Sequence, residues 1–353
     1  MKCGVGDYSY NLAKAIAAVS DVRVAVLTSV FDGATTGDDK VEIFPAIKKW
    51  SLTETIKAVK IIYRWSPDIV HIQYPTQGYG DGLLPWVLPI ISFLMGKKVV
   101  QTWHEGYSDL QLAKRLFLKA IVPDVLVIVH PSYKEILHPK LRWALWLKKS
   151  VFIPIASNIS VVDMGESQKN ILKQKYLKKQ TRLVVFFGFV HPSKGVELLF
   201  EIANPVSDHI VIAGEFGGDK DYSQKIIEQA LAGLWMDKAT ITGFLPSDSI
   251  SELLTVADAV ILPFRGGQGE CNRGSVYAAV THKTFVITTS TARNGYDQKH
   301  NIYYAKIDDV QEMKSALCNY AGRRREKDAE IDKNEWQDIA DRHIKIYKQI
   351  TSI

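Results

Sequence analysis

The chain has 353 residues, enough for two domains at roughly 100–200 residues each. Hydrophobic residues make up 46% and charged residues 23%, which lets each half build a core and excludes a disordered chain. Forty-four basic against 38 acidic residues leave a net charge of +6, which suits anionic ligands or an anionic surface but excludes a nucleic-acid footprint.

The start, MKCGVGDYSY, lacks the apolar stretch of a signal peptide. Gly4-Val5-Gly6, followed by helical periodicity over Ser9–Val19, looks like the turn after a first βα strand. No strand precedes it, so a shortened or misassigned start is expected; the other reading is a domain without a strand usually central to its sheet. Gly4-Val5-Gly6-Asp7 could cradle a phosphate, although a lone GxG is weak evidence. Short Val- and Ile-rich runs predict strands over Arg23–Leu27, Ile69–Gln73, Lys98–Thr102, Val125–Val129 and Ser150–Ile153. His71 and Gln73 end one of these strands, and His104 and Glu105 follow the next. A histidine there can bond a sugar hydroxyl or steady developing charge, or it can be structural. The apolar run Leu83–Met95 contains Pro85, Pro89 and Ser92 and is shorter than the roughly 20 residues that span a bilayer. Leu141–Lys149 mixes aromatics and cations and reads either as core packing with a solvated edge or as a peripheral membrane contact.

A domain boundary is expected near Pro154–Ser160. Beyond it, strands are predicted at Leu183–Phe187, His209–Ala213, Ala239–Thr242, Ala259–Leu262 and Phe285–Thr288. Helices are predicted over Gly195–Ala203, Tyr222–Ala232 and Ser249–Ala257. Repeated βα units in both halves imply two doubly wound parallel sheets facing across a cleft, with ligands beyond the carboxyl ends of the strands. Gly188 ends a strand where backbone can approach a ligand, and Lys194 is expected at a helix start, placed for a diphosphate or simply solvated. After the strand Ala259–Leu262 comes a glycine-rich loop with Gly266, Gly267, Gly269 and Gly274. In it Glu270 can accept two sugar hydroxyls, Arg273 can donate to phosphate, and the amides of Cys271, Asn272, Arg273, Gly274 and Ser275 lie at a helix N-terminus. A mobile polar loop before a capped helix is the alternative.

These segments, in this order and over nearly the whole chain, resemble the family-four retaining glycosyltransferases of the GT-B fold. GVGDYSYNLAKAI is similar to that family's first loop and helix, and PDIVHIQY and VVQTWHE to its inner strands. FFGFVHPSKGVELL looks like the opening of its donor domain, and ITGFLPSDSISELLTVADAVILPF like the approach to its sugar loop. NEWQDIADRHIKIY resembles its closing helix, which crosses back to the first domain. The resemblance implies an α/β chain of two Rossmann-like domains. Residues 1–155 would form the acceptor-side domain, 156–330 the nucleotide-sugar donor domain and 331–353 the returning helix.

It also implies roles. Lys194 would grip the donor diphosphate, Glu270, the first acid of an E-x₇-E motif, would bond the donor sugar, and His104 would lie by the reacting face; these three form the catalytic set. Gly4, Gly6 and Gly188 would lie near the diphosphate, Phe244 and Leu245 by the nucleobase, and Ser275 and Val276 would offer amides to phosphate. Two positions depart from the pattern. The second acid is replaced by Ala278, and Phe189 stands where a basic residue is common. Losing one charged hydrogen bond costs about 1.5–3 kcal/mol. By spacing, Arg273 would replace the lost charge from the other side of the pocket; Arg273-Gly274-Ser275 also resembles the loop of an RGS-type subgroup, so the departures need not imply inactivity.

The expected reaction is retaining transfer of a hexose, glucose by family frequency, from a UDP-sugar to a glycan or lipid-linked acceptor in bacterial polysaccharide assembly. No metal or other cofactor is expected, because fixed cations would carry the diphosphate charge. A degenerate subunit that binds without turnover is the main alternative. A Rossmann dehydrogenase is disfavoured by the missing third glycine of GxGxxG. Cys3, Cys271 and Cys318 are few and widely spaced, which fits a reducing, cytoplasmic setting, with peripheral contact at the inner membrane face as an option and no nucleic-acid partner.

Overall fold

The structure is a computed structural model that describes residues 4–19, 21–30, 40–74, 77–104, 123–130, 133, 138, 149–265, 274–326 and 335–351. The chain divides into two compact units, Met1–Ala156 with Asn334–Ile353, and Ser157–Lys333.

The first unit holds β1 (Val24–Ser29), β2 (Val41–Ile47), β3 (Ile69–Tyr74), β4 (Lys98–Trp103), β5 (Val125–Ile128) and β6 (Lys149–Phe152). All pair in parallel, but in two sheets, β1-β2 and β3-β4-β5-β6. The four residues of β5 are fully buried, as a β-branched run between two parallel neighbours should be. β1 opens with the apolar run Val24–Leu27, yet each of its residues is only half-buried, because among the described residues its one hydrogen-bonded neighbour is β2. The sequence reading missed β2. Pro45 interrupts its apolar run, and a residue without an N–H is tolerated on a strand that, among the described residues, pairs with β1 alone.

The helix Gly4–Ala17 buries Tyr8, Leu12, Ala13, Ile16 and Ala17, a stripe at helical spacing. Tyr8, Leu12 and Ile16 form one core with Ile339, Ala340, Ile344 and Ile346 of the helix Glu335–Thr351. That closing helix therefore belongs to the first unit. Gly4 and Gly6 lie inside a helix rather than in a turn ahead of one. The reason is local: the apolar periodicity that starts at Tyr8 propagates back through the glycines once the helix has a core to pack on.

The second unit contains β7 (Arg182–Phe187), β8 (Asp208–Ala213), β9 (Ala239–Gly243), β10 (Ala259–Leu262), β11 (Val286–Thr289), β12 (Gly295–Asp297) and β13 (Ile302–Ala305). They form one sheet in the order β12-β13-β11-β10-β7-β8-β9, parallel except for β12. The chain runs outward from β7 through β8 to β9, then returns to β10 on the other side of β7. That reversal is a topological switch point, and in such sheets ligands sit beyond the carboxyl ends of the strands flanking it. β12 and β13 were missed as strands; each is only three or four residues long.

One ion pair fastens the starts of β7 and β8. Arg182 donates from Nε and Nη2 to the two oxygens of Asp208, at 2.6 and 3.0 Å, and Asp208 is fully buried. Asp208 also accepts from the Asn204 backbone at 2.7 Å. Removing the acid strands a part-buried guanidinium and a backbone donor. The expected result for Asp208→Ala is a loss of about 3–5 kcal/mol in a urea titration reporting on the second unit; a loss below about 1 kcal/mol would contradict this account.

Candidate functional site

The loop after β7 is shaped by close backbone approach. Gly188 has φ +139°, and a Cβ on Gly214, beyond β8, would sit 1.8 Å from the Gly188 carbonyl oxygen. The chain then turns through His191, whose Nδ1 lies 2.9 Å from the Ser193 hydroxyl and accepts from the Ser193 N–H. Pro192–Lys194 is one turn of 3-10 helix, and Gly195 follows at φ +62°. Next come a second 3-10 turn, Val196–Leu198, and an α-helix of only four residues, Leu199–Ile202. The expected helix over Gly195–Ala203 is thus broken up, and Lys194 does not stand at the start of a long helix. The cause is steric: Gly195 passes so near the Pro263 carbonyl that a Cβ there would meet its oxygen at 2.3 Å.

The loop after β10 is tied to this one. The Arg265 N–H donates to the Ser193 carbonyl at 3.1 Å. Its guanidinium donates from Nε and Nη2 to Glu197 Oε1 at 3.0 and 2.6 Å, and Nη1 lies 3.2 Å from Asp308 Oδ1. The Tyr222 hydroxyl donates to the other Glu197 oxygen and accepts from the Val196 N–H at 2.9 Å. Burial alone would raise the Glu197 carboxyl. Hydrogen bonds from Tyr222, from its own backbone N–H and from Arg265 outweigh it and hold the carboxyl below the usual range. The Lys194 ammonium lies 4.6 Å from the centre of the Phe264 ring, within cation–π range. Sequence reasoning missed Glu197, Tyr222, Phe264 and Arg265. No local pattern joins residues as far apart as 197 and 265.

Glu270, Cys271, Asn272 and Arg273, with Gly266, Gly267 and Gly269, lie outside the described residues. The eight-residue helix that follows, Gly274–Thr281, opens with Gly274, Ser275 and Val276. Gly274 is exposed and Ser275 half-buried, so the first described turn of this helix, which follows β10 in the chain, is open to solvent. The Val276 side chain points into the core, as do Ala278, Ala279 and Val280. Ala278 is fully buried, so position 278 offers no exposed group to a ligand. At the end of β9, Gly243 at φ +66° turns the chain so that Phe244 is 53% exposed while Leu245 packs on the core. Phe189 is likewise exposed after β7. Both aromatics therefore stand at carboxyl ends of strands.

In the first unit His104 follows β4. Its N–H donates to the Tyr74 carbonyl at 2.8 Å, and its Nε2 lies 2.8 Å from Gln73 Oε1. Gln73 Nε2 reaches His71 Nε2 at 3.3 Å. His71 also meets Thr102 Oγ1 at 2.7 Å and, through Nδ1, Tyr347 Oη at 2.6 Å. Tyr8 packs edge-on against His104 with ring centres 4.8 Å apart, and His343 lies 5.5 Å from His71. Burial, then the neighbouring His343, pushes His104 down to about 3. Burial holds His343 at about 4 and keeps His71 well below the ordinary range. Glu105 lies outside the described residues.

Residues 167–289 match the family model described as glycosyl transferases, group 1. The chain is 25% identical over 158 residues to the putative glycosyltransferase YtcC of Bacillus subtilis (strain 168); that alignment takes in 43% of this chain and 38% of the relative. Among solved structures, it is similar to sucrose-phosphate synthase from Thermosynechococcus elongatus, at TM-score 0.70 and 15% identity over 98% of this chain and 93% of that one. It is also similar to HepE from Anabaena, solved with UDP and glucose, at TM-score 0.66 and 15% identity over 99% and 95% of the two chains. The fold is GT-B, built of two Rossmann-like domains.

The three histidines give a test of the first unit. Each has a folded pKa below its unfolded value near 6.5, so the unfolded chain binds more protons once the pH drops under about 6.5. Stability is then expected to fall from about pH 6.5 towards pH 4, by up to about 1.4 kcal/mol per pH unit for each histidine. Urea midpoints at pH 7.5 and 5 measure this; equal midpoints would show that the imidazoles are not held neutral.

Proposed function

We propose that this GT-B chain is a glycosyltransferase that moves a hexose, preferably glucose, from a UDP-sugar to a glycan or lipid-linked sugar, with retention at the anomeric carbon. The observation that carries the reading is the pair of loops at the switch point of the second unit. Lys194 and the helix Gly274–Thr281 follow adjacent strands, and Arg265 and Glu197 fasten the loops together. A cation and the N–H groups of a helix's first turn suit a diphosphate. The group 1 match at residues 167–289 spans this region and supports a transferase. The likeness to HepE, solved with UDP and glucose, supports a UDP-sugar donor. Nothing in the comparisons favours a subunit that binds without turnover.

When the sugar–phosphate bond breaks, negative charge builds on the departing diphosphate. Lys194, Arg273 and the amides of Gly274, Ser275 and Val276 would stabilise that charge most in the transition state. Glu270 would hold sugar hydroxyls and His104 would approach the reacting face. Fixed cations replace a metal in this scheme. Among the described residues no helix is long and apolar enough to cross a membrane. The acceptor is proposed to belong to polysaccharide assembly, reached by peripheral contact with a membrane.

The test is UDP release from a panel of UDP-sugars with glycan acceptors. Lys194→Ala is expected to lower kcat/KM by about 100–1000-fold and Glu270→Ala by a similar factor, with circular dichroism unchanged. Either variant turning over at the parent rate would sink the assignment.

A further inference from the structure

The polar groups at the ends of β3 and β4 form a directed chain, and its direction follows from the Gln73 amide, whose nitrogen faces His71 and whose oxygen faces His104. Thr102 Oγ1, at 2.7 Å, and the Gln73 amide nitrogen, at 3.3 Å, both donate to His71 Nε2. A ring nitrogen that accepts carries no proton, so the His71 proton is on Nδ1 and is donated to Tyr347 Oη at 2.6 Å. With its nitrogen turned to His71, Gln73 turns its oxygen to His104 Nε2 at 2.8 Å. An amide oxygen only accepts, so His104 carries its proton on Nε2, and the remaining nitrogen, Nδ1, keeps its lone pair.

We propose that Gln73, His71 and Tyr347 are positioning residues that hold His104 as the neutral Nε2–H tautomer, with Nδ1 as a fixed acceptor for a sugar hydroxyl. This rests on the reading above, in which His104 approaches the sugar, and it assigns that residue a single hydrogen-bonding role. Among the described residues, the titratable rings packed against the pair are Tyr8 from the helix Gly4–Ala17, and His343 and Tyr347 from the helix Glu335–Thr351. None of these supplies a negative charge that would draw a second proton onto His104. Burial acts in the same direction, keeping both imidazoles uncharged at neutral pH. His104 is therefore an acceptor rather than a proton donor to the leaving group. The closing helix takes part in the site through the Tyr347 hydroxyl.

Long-range ¹⁵N NMR of the unliganded full chain reads the tautomers directly. The expected result is His104 protonated on Nε2 and His71 on Nδ1, with Gln73→Met turning His104 into a mixture and lowering kcat by about 10–100-fold. Gln73→Glu preserves the shape and the acceptor but adds a negative charge, which raises the His104 pKa. Below that pKa both nitrogens donate and the acceptor is lost. Gln73→Glu should therefore add an acidic limb to kcat between about pH 5 and 8 that the parent lacks. A packing role alone would lower kcat without changing its pH dependence. His104 protonated on Nδ1 in the parent, an unchanged tautomer in Gln73→Met, or no new limb in Gln73→Glu would each overturn the proposal. Failure of the parent chain to transfer any sugar would instead remove the functional reading, while the tautomers of the unliganded protein are measured independently of turnover.

Discussion

The tie between Arg265 and Glu197 sets what the second unit can present at its switch point. A parallel sheet delivers the ends of β7 and β10 side by side, but it does not fix the loops that follow. Those loops contain two glycines in conformations that other residues rarely adopt, and such segments are held only by what surrounds them. The guanidinium fork on a largely buried carboxylate, with the Tyr222 hydroxyl on the carboxylate's other oxygen, supplies that hold. Burying the acid would be costly if it stood alone. Three kinds of donor share it, so it stays ionised and keeps Arg265 in place. The approach of Gly195 to the Pro263 carbonyl then fixes the path by which Lys194 reaches the site.

The first unit uses burial differently. Its polar cluster is assembled from neutral groups, and three histidines are kept uncharged by desolvation. A neutral imidazole has one donor and one acceptor, so each hydrogen bond constrains the next, and the chain from Tyr347 to His104 has a direction. The expense is a dependence on pH, because these rings are more easily protonated in the unfolded chain. Two polar atoms near this chain, Tyr8 Oη and His343 Nε2, are buried without a protein hydrogen bond.

The alternating βα order and ten of the strands were legible because buried parallel strands leave near-continuous apolar runs such as LVVFF and AVIL. The strands that escaped notice had weak local signals: Pro45 interrupts β2, and β12 and β13 are very short. The helix expected to carry Lys194 at its start was a wrong reading of a correct apolar period. Val196, Leu198, Leu199 and Ile202 are buried as that period requires, yet the backbone winds through 3-10 turns because the Pro263 carbonyl crowds Gly195. Lys194, Gly188 and His104 could be singled out from their positions just after strands, and Phe244 from the family resemblance. Glu197, Tyr222 and Arg265 could not, since their pairing depends on which strands become neighbours.

The amino-acid order by itself determined that the chain would form two α/β units, which strand ends would carry polar and glycine residues, and that position 278 would lack a carboxylate. Those properties are local: they follow from side-chain type and period within a few residues. Only the tertiary structure decided that β7 and β10 lie together, that residues 197 and 265 share an ion pair, and that Tyr347 reaches His71 from the far end of the chain. A hydrogen bond requires atoms within about 3 Å, and spacing along the chain places no such limit on residues hundreds of positions apart.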